Sequence, residues 1–433
     1  MSEREGSQRE RGATRAGRPA LAPAGRSEER APSLVLVESN TTGTGRLFCR
    51  AAVAAGLRPV LLARDPDRYP YVRADGIAAR VVDTGSVPAV LAACAELAVA
   101  GVTSSSEYFV ATAAEAARAL GLPHPDPDAV RDCRDKGRQR ARLAAAGRPG
   151  PAFAVAGSPA AAADAAGRIG FPVVVKPVSG SGSIGVRRCP DAAAVAAAAG
   201  AVLAGTAGTG LPVQDAVLVE SYLDGPEFSV ETFDDRVVGV TRKHLGPEPA
   251  FVETGHDFPA PVDPATAAAL GDAAVGALRA LGLGWGAAHT ELRLTATGPV
   301  VVEVNPRLAG GLIPRLVEEA TGIDLIALLV ARVAGARPVP APTRYRCAAI
   351  RFLVAPAAGR LAGVPGVDAA RAVPGVVEVG VTARAGQEVL VRGSFQDRLG
   401  HVLATAGDPT TAATAAATGL ALLRPELVAE VPA

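Results

Sequence analysis

The stretch FPVVVKPVSGSGSIGV, residues 171–186, decides the fold of this chain. Its apolar residues 171–175 predict a buried strand that ends at Lys176, directly before a loop in which glycines alternate with serines. Glycines let backbone amides converge on one point and serine hydroxyls add donors, so the loop predicts an anion nest. The lysine before the loop favours a triphosphate as the bound anion.

Two other kinds of loop have a similar composition. A plain Gly/Ser hairpin turn has the same glycines and, without the lysine, would fit the sequence equally well. A Walker phosphate loop does not fit, because its lysine follows the glycines, whereas Lys176 precedes them. The hairpin turn therefore stays open as the alternative to phosphate binding.

Lysine is rare in this chain: of 44 basic residues only three are lysine, namely Lys136, Lys176 and Lys243. Arginine replaces lysine almost everywhere, so lysine should persist where a compact ammonium is needed to reach a buried phosphate oxygen. Lys136 lies near the start of a predicted charged helix at 132–151. All three lysines are candidates for a binding site, and the alternative is that each lies on a solvated face.

Composition limits the classes of protein. The chain has 433 residues, 49% of them hydrophobic, which is enough for two or three domains, and its net charge of +1 does not favour nucleic acid or an anionic membrane as partner. Its five cysteines lack metal-like spacing, which is typical of a reduced compartment and predicts a cytoplasmic protein. Residues 1–32 hold seven Arg and five Glu and predict a disordered tail without a signal peptide.

The first folded segment shows a βαβ pattern. Short apolar runs at 33–38, 58–64 and 79–83 predict buried strands, and Ala-rich stretches between and after them predict helices. This alternation predicts a small parallel-sheet domain that extends to about residue 125.

Two later strands carry acidic residues. The segments 289–294 and 300–306 predict a hairpin, in which a three-residue turn centred on Thr297 would place Glu291 opposite Glu303, with Asn305 on the same face. Facing carboxylates need a compensating cation, and hard oxygen ligands suit Mg²⁺. The alternative is a pair of solvated surface glutamates, which the flanking valines disfavour.

The segment 217–233 predicts a strand, a short connection and a second strand. Backbone groups at 220–223 could face an adenine edge, and Glu227 could accept hydrogen bonds from ribose hydroxyls. Spacing alone makes this a weak indication.

Taken together, the order and spacing of these motifs over about 33–405 resemble the ATP-grasp superfamily. The resemblance implies a mixed α/β and α+β fold: a Rossmann-like pre-ATP-grasp domain at 33–125, a two-lobed ATP-grasp domain at 126–340 and a C-terminal cap at 341–433. The small lobe would cover about 150–220 and the large lobe about 221–340.

The resemblance also implies a role for each motif. Two lysines would hold the α- and β-phosphates, the glycine loop would cover them, a hinge would bind adenine, Glu227 would bind ribose, and three residues would hold Mg²⁺, or Mn²⁺ as a substitute. Arg307 would steady the transferring phosphoryl group. The residues are Lys136 and Lys176; Ser179, Gly180, Ser181, Gly182, Ser183 and Gly185; Glu220, Ser221, Tyr222 and Leu223; and Glu291, Glu303 and Asn305.

Within the superfamily, FVETGHDFPA at 251–260 resembles the L-amino-acid ligases, the dipeptide-forming branch. That resemblance implies that Glu253 binds a substrate ammonium and that His256 contacts a carboxylate or accepts a proton. It implies an ATP-dependent carboxylate–amine ligase with amino-acid substrates, and it leaves a homodimer open. A loop glutamate and histidine without a ligand is the alternative for this motif.

Three other functions stay open at this point. A biotin-carboxylase-like or carbamoyl-phosphate-like enzyme would activate bicarbonate, and a purine-pathway ligase would share the architecture. From another class, a nucleotide-binding regulatory module would have no free small-molecule product.

Overall fold

The structure is a computed structural model that describes residues 31–40, 44–205 and 213–428. The predicted disordered tail lies outside these residues, apart from its last two positions. Across the described ranges, no helix is both long enough and apolar enough to cross a membrane.

The N-terminal segment forms a four-stranded parallel sheet in the order β3-β2-β1-β4, as the βαβ pattern predicts. Because the strands are parallel, their carboxyl ends meet at one edge, which faces the rest of the chain. The strands are β1 Ser33–Val37, β2 Arg58–Ala63, β3 Ala78–Val81 and β4 Val99–Thr103, and the helices are α1 Thr44–Ala54, α2 Pro70–Ala74, α3 Val87–Cys94 and α4 Val110–Ala119.

The predicted charged helix at 132–151 is two helices in the structure, α5 Pro127–Arg134 and α6 Lys136–Ala145. The prediction of one helix was wrong because Asp135 adopts an extended conformation and its side chain accepts a hydrogen bond from the Arg138 amide, which caps α6. As a result, Lys136 is the first residue of a new helix.

A second sheet of four antiparallel strands follows, in the order β5-β8-β6-β7. Two Ala-rich helices pack on one face of it, as their composition predicts. The elements are β5 Phe153–Ala156, α7 Pro159–Ile169, β6 Val173–Pro177, β7 Arg187–Cys189, α8 Ala192–Ala204 and β8 Val217–Ser221.

The remaining elements build a large sheet and a C-terminal subdomain. They are β9 Glu227–Phe233, β10 Arg236–Leu245, β11 Glu253–Phe258, α9 Pro264–Leu281, β12 Ala287–Thr295, β13 Gly298–Asn305, α10 Ile313–Thr321, α11 Leu325–Val333, β14 Cys347–Val354, β15 Gly359–Gly363, α12 Val367–Arg371, β16 Val376–Val381, β17 Glu388–Val389, β18 Arg398–Ala406, α13 Pro409–Leu422 and β19 Glu426–Val428.

Eight strands form the large sheet, in the order β13-β12-β9-β10-β11-β14-β18-β16, and β17-β15-β19 form a small third sheet. The large sheet crosses the predicted boundary near residue 340, because β14 pairs with β11. The strand predicted at 388–392 is only two residues long, β17.

The large sheet separates an apolar face from a charged face. Phe228 and Val230 of β9 pack against α9, in a core that also takes residues from β10, β12 and β13. Strand alternation turns their neighbours Glu227, Ser229 and Glu231 to the opposite face, where they are buried. The charged face is turned toward the second sheet, and the cleft between the two sheets is the candidate site.

The predicted pairing of Glu291 with Glu303 is confirmed, but the predicted turn is wrong. The turn has two residues, 296–297. A turn of this length would by itself pair Glu291 with Val302 instead of Glu303. A β-bulge with Val302 as the extra residue restores the register, so that the two glutamates are paired. Bulges re-aim side chains next to functional sites, and this one turns Glu303 toward the charged face.

The N-terminal sheet packs on helix α11 through a glycine. A Cβ built on Gly101 of β4 would lie 2.8 Å from the carbonyl oxygen of Val333 in α11. That distance is too short for a real contact, so the strand and the helix can be this close only because position 101 has no side chain.

We predict that Gly101→Ala lowers the free energy of unfolding by about 1–3 kcal/mol, because the added methyl group forces β4 away from α11. Urea unfolding followed by circular dichroism measures the change. Gly167→Ala is the matched control: position 167 lies in α7 with nothing within 4 Å of the added carbon, so the variant should gain about 0.5–1 kcal/mol. Equal effects of the two substitutions would contradict the packing argument.

Candidate nucleotide and substrate site

A cleft between the second sheet and the charged face of the large sheet forms a pocket of about 130 Å³. Its walls bring together most of the residues predicted to bind a nucleotide. The lining includes Lys136, Lys176, Gly180, Ser181, Gly182, Ser183, Glu220, Ser221, Tyr222, Leu223, Glu227, Glu291 and Glu303.

Lys136 is positioned by the start of α6. Its amide donates to the carbonyl of Val178, and its ammonium donates to the carbonyl of Gly180 at 2.7 Å. The same ammonium forms an ion pair of 3.1 Å with Glu303. Lys136 therefore ties the glycine loop to a predicted metal ligand.

Lys176 and Arg140 share one buried carboxylate. The Lys176 ammonium lies 2.6 Å from Glu220, which also forms an ion pair with Arg140 of α6. Burial alone would raise the pKa of Glu220, but the two cations lower it to about 2. Burial is the main cause of the lowered pKa of Lys176. A phosphate entering the pocket would replace Glu220 as the partner of Lys176.

The glycine loop joins β6 to the antiparallel β7, so it has the hairpin connectivity of the structural alternative. The loop is held at both ends: the Ser179 hydroxyl donates to Gln214 at 3.0 Å, and a Cβ at Gly182 would overlap the ring of Phe395. Gly182 has a φ of 66°, which favours glycine. Phosphate binding by the loop, including Gly185, stays a prediction.

The predicted adenine hinge follows β8. The amides of Ser221 and Tyr222 donate to the carbonyls of Ala152 and Pro172, so these two amides already belong to the sheet. A base would have to bond to other groups of the hinge, such as those of Leu223. Glu227, the predicted ribose ligand, is buried and forms ion pairs with Lys243 and Arg293.

The two predicted metal carboxylates lie on neighbouring strands, and each is paired with cationic side chains. Glu303 is paired with Lys136, and Glu291 lies 3.0 Å from the Lys243 ammonium and 3.2 Å from His289. Burial alone would lower the pKa of His289, but Glu231 and Glu291 raise it to about 9. The carboxylate oxygens of Glu291 and Glu303 are already paired with cations, so they are suitable ligands for a divalent ion. Asn305 lies beside them.

Within the described ranges, no group of three or more His, Cys, Asp and Glu side chains would hold a metal ion alone. The remaining ligands would have to be substrate phosphates and water. This is the usual arrangement for Mg²⁺, which keeps few protein ligands.

Lys243 is the centre of the charged face. Its ammonium lies 2.9 Å from Glu227, 2.8 Å from Glu253 and 3.0 Å from Glu291, and its side chain is 2% exposed. Burial alone would lower the pKa of this lysine, but the three carboxylates raise it well above its usual value. Lys243 thus contacts three residues with predicted roles: Glu227 for ribose, Glu253 for the substrate and Glu291 for the metal ion.

The predicted substrate residues Glu253 and His256 lie together, with 3.5 Å between the Glu253 carboxylate and the His256 Nε2. His256 is fully buried, and neither of its ring nitrogens has a hydrogen-bond partner among the described residues. Burial lowers the pKa of His256 to about 3, so its ring is neutral near pH 7. A neutral ring is a hydrogen-bond donor, and with this pKa it is a poor base.

Arg307 has a partner that the sequence analysis missed. Its Nε and Nη2 donate to Glu107 of the N-terminal segment, and its Nη1 donates to the Leu308 carbonyl. Burial alone would lower the pKa of Arg307, but Glu107 raises it. Glu107 follows β4 at the carboxyl edge of a parallel sheet, where ligand sites are common, and this position could have indicated it.

Three other residues were missed. Arg140 lies one helical turn after Lys136, and His289 lies two positions before Glu291 on the same strand face, so spacing could have indicated both. Arg398, whose Nη2 lies 2.6 Å from the Glu253 carboxylate, had no local signal. Its position depends on the pairing of β18 with β14.

A second, larger cavity of about 670 Å³ adjoins the nucleotide pocket. It lies where the N-terminal sheet, the large sheet and the C-terminal subdomain meet, and residues of all three form its walls. Glu107, Glu253, Glu291, Arg307 and Arg398 line it, together with apolar residues that include Phe48 and Trp285. Its volume lies in the range of small-molecule sites, about 300–1,000 Å³.

This fold and site define a protein with a charged cleft between two sheets and a larger cavity beside it. Three family models match in chain order: an ATP-grasp N-terminal domain at 49–124, an ATP-grasp domain at 169–315 and the L-amino acid ligase C-terminal domain 2 at 351–428. The chain belongs to the ATP-grasp superfamily, in its L-amino-acid ligase branch, whose members are ligases that form carbon–nitrogen bonds.

The chain is also similar to individual proteins. Uncharacterized protein y4rH of Sinorhizobium fredii is 39% identical over 88% of this chain and 80% of its own length. Carnosine synthase 1 of Gallus gallus is 33% identical over 52% of this chain, but the match covers only 26% of that protein. The crystal structure of an L-amino acid ligase from Bacillus licheniformis has a TM-score of 0.76 at 23% identity, over 92% of this chain and 99% of that one.

We predict that Glu220→Gln destabilises the protein by about 3–5 kcal/mol at pH 7, because it removes the charge that compensates two buried cations. The folded pKa of Glu220 is about 2, below its ordinary value of 4.5, so its charge stabilises the fold above pH 4.5. The difference from wild type should shrink as the pH falls from 4.5 toward 2.

Urea unfolding at several pH values between 7 and 3 measures this difference. Glu96→Gln is the control, because Glu96 forms only an exposed ion pair with Arg80 and should show only a small effect. A pH-independent deficit of Glu220→Gln would contradict the assignment.

Proposed function

We propose that the chain is an ATP-dependent ligase that activates a carboxylate as an acyl phosphate and joins it to an amine, with amino acids as substrates. The observation that carries the proposal is the paired Glu291 and Glu303 beside Lys136 and Lys243, between the cleft pocket and a second cavity. ATP and Mg²⁺ are the proposed cofactors, with Mn²⁺ as a substitute because it also takes oxygen ligands.

In the first step, a substrate carboxylate oxygen attacks the γ-phosphorus of ATP, and the bond to the β-phosphate oxygen breaks to release ADP. Lys136 and Lys176 would exchange their carboxylate partners for phosphate oxygens. A divalent ion held by Glu291 and Glu303 would neutralise charge on the phosphates. Arg307, held by Glu107, would stabilise the transferring group.

In the second step, an amine nitrogen attacks the acyl carbonyl, the bond from the acyl carbon to the phosphate oxygen breaks, and the proton of the amine passes to the departing phosphate or to water. Glu253 would orient the ammonium of the first substrate, and the neutral His256 would donate a hydrogen bond rather than take the proton. Of the two roles predicted for His256, the low pKa supports the carboxylate contact. The glycine loop, packed against Phe395, would exclude water that hydrolyses acyl phosphates.

Enzymes that activate bicarbonate are less well supported. The cavity beside the nucleotide pocket has about 670 Å³ and apolar walls, which suits substrates larger than bicarbonate. A regulatory module that binds a nucleotide without catalysis would not need Arg307 to be fixed between the cleft pocket and the second cavity.

We predict that Glu303→Gln lowers kcat for ADP release by about 10²–10³, because the amide weakens both cation binding and the contact to Lys136. A coupled assay of ADP release with a panel of L-amino acids, singly and in pairs, measures it. Glu318→Gln, which removes an exposed i,i+3 pair with Arg315, should leave kcat unchanged. Near-normal turnover by Glu303→Gln would remove this residue from the proposed metal site.

The same amino-acid panel tests the substrate class. ADP release should require a substrate with a carboxylate, and its rate should increase when an amine substrate is added. The proposed partners are small molecules, without nucleic acid or membrane. The homodimer stays a prediction, and light scattering on the purified chain would give the mass.

A further inference from the structure

We propose that Phe395 of the C-terminal subdomain is a positioning residue that holds the glycine loop, residues 178–186, in place and so directs the acyl phosphate to the amine instead of to water. This inference rests on the proposed function, which needs water to be excluded, and goes beyond it by naming the contact on which the exclusion depends. It gives the C-terminal subdomain control over how much of the ATP is spent without product.

The glycine loop forms the wall between the nucleotide pocket and the second cavity. Its residues Ser181, Gly182 and Ile184 line both spaces. In the proposed reaction, the phosphoryl group passes from ATP in the first space to a carboxylate in the second. The loop therefore lies next to the acyl phosphate for as long as this intermediate exists, and water would reach the intermediate if the loop moved away.

The loop touches the C-terminal subdomain at Gly182. The Phe395 ring packs on this glycine so closely that an added Cβ would overlap the ring and lie 2.7 Å from its Cε1. The Phe395 amide also donates to the Gly182 carbonyl at 3.4 Å. The contact thus combines a position without a side chain in the loop with a flat ring in the subdomain.

The backbone around Phe395 is fixed, so the ring is a rigid support. The buried Asp397 carboxylate accepts hydrogen bonds from the amides of Arg392 and Gly393, at 2.8 and 2.7 Å. The Phe395 ring itself is 40% exposed and, among the described residues, lies outside the apolar core of its own subdomain. Its position is therefore explained by the glycine loop rather than by the packing of the subdomain.

The same segment contacts the residue proposed to bind the ammonium of the first substrate. Arg398 follows Phe395 by three positions, and its Nη2 donates to the Glu253 carboxylate at 2.6 Å. Phe395, Arg398 and Glu253 all line the second cavity. One short segment, 394–398, therefore connects the glycine loop with the proposed binding residue of the first substrate.

Two reactions compete for the acyl phosphate. Attack by the amine gives the amide. In hydrolysis, a water oxygen attacks the acyl carbon, the bond to the phosphate oxygen breaks, and the free carboxylate is regenerated, with one proton on the phosphate and one released to solvent. Hydrolysis consumes ATP without product, so the ratio of the two reactions reports whether the loop excludes water. A residue needed only for folding would lower both rates together.

The experiment measures a hydrolysis ratio, defined as the ADP released in excess of all amide formed, divided by the amide formed. It uses the best amino-acid pair from the panel, with both substrates present. Phe395→Ala should raise this ratio about tenfold, because the loop opens more often once the apolar contact with the ring is lost. Phe395→Tyr keeps the ring and should stay near the wild-type ratio.

Leu390→Ala is the matched control. Leu390 lies in the same subdomain, is 37% exposed and lines neither cavity, so its truncation should leave the hydrolysis ratio unchanged. A fall of both rates in Phe395→Ala at an unchanged ratio would overturn the inference. If circular dichroism shows that Phe395→Ala does not fold, Phe395→Leu takes its place with the same expected direction.

A double-mutant cycle tests the contact itself. Gly182→Ala should raise the hydrolysis ratio strongly in the wild-type background, and much less when Phe395→Ala has removed the ring. Gly180→Ala is the comparison, because its φ of 143° also strains an alanine, but its added carbon would lie 3.6 Å from Pro177, an ordinary contact. Its effect should be the same in both backgrounds. Equal effects of Gly182→Ala in the two backgrounds would contradict the inference.

Hydrogen exchange separates this inference from the proposed function, because it needs no turnover. The amides of 178–186, followed by mass spectrometry, should exchange faster in Phe395→Ala than in wild type or in Leu390→Ala. If wild type forms the amide and the hydrolysis ratio of Phe395→Ala is unchanged, the inference fails and the proposed function stands. If wild type releases no ADP with any amino acids, the proposed function fails, and the inferred role of Phe395 fails with it.

Discussion

The buried ammonium of Lys243 is the interaction on which the site depends. Three carboxylates on three strands point at one place, and without a cation they would repel one another inside the protein. An ammonium can donate three hydrogen bonds in three directions, whereas a guanidinium donates in one plane, which explains a lysine in a chain that otherwise prefers arginine. Burial alone would raise the pKa of Glu253 and of Glu291, but the ammonium lowers both, and its contacts hold all three carboxylates in fixed positions.

The same principle extends to the nucleotide pocket. Lys176 and Arg140 are paired with Glu220, and Lys136 is paired with Glu303, so each buried cation has a carboxylate partner before a nucleotide arrives. Phosphate groups and a divalent ion would then exchange partners within a site whose charges are already balanced. Such an exchange avoids exposing any buried charge without a partner, which would be costly in free energy.

The features that depend on a local sequence pattern were predicted correctly. The strands of the parallel sheet, the Ala-rich helices and the pairing of Glu291 with Glu303 all follow from alternation and spacing, and the structure contains them. Two of the errors came from single residues: Asp135 caps a helix where one continuous helix was predicted, and Val302 adds a bulge where the turn is shorter than predicted. Both are choices between local conformations of similar free energy, which a sequence pattern does not separate.

The residues that were missed depend on contacts between distant segments. Glu107 meets Arg307 only because the N-terminal sheet packs on α11 through Gly101, and Arg398 meets Glu253 only because β14 and β18 extend the large sheet beyond residue 340. The nucleotide residues lie in the central domain, but the second cavity needs walls from both flanking parts. We propose that the second cavity takes the substrates, so their selection would depend on how three segments pack together, whereas the motifs predicted to bind the nucleotide lie in one segment.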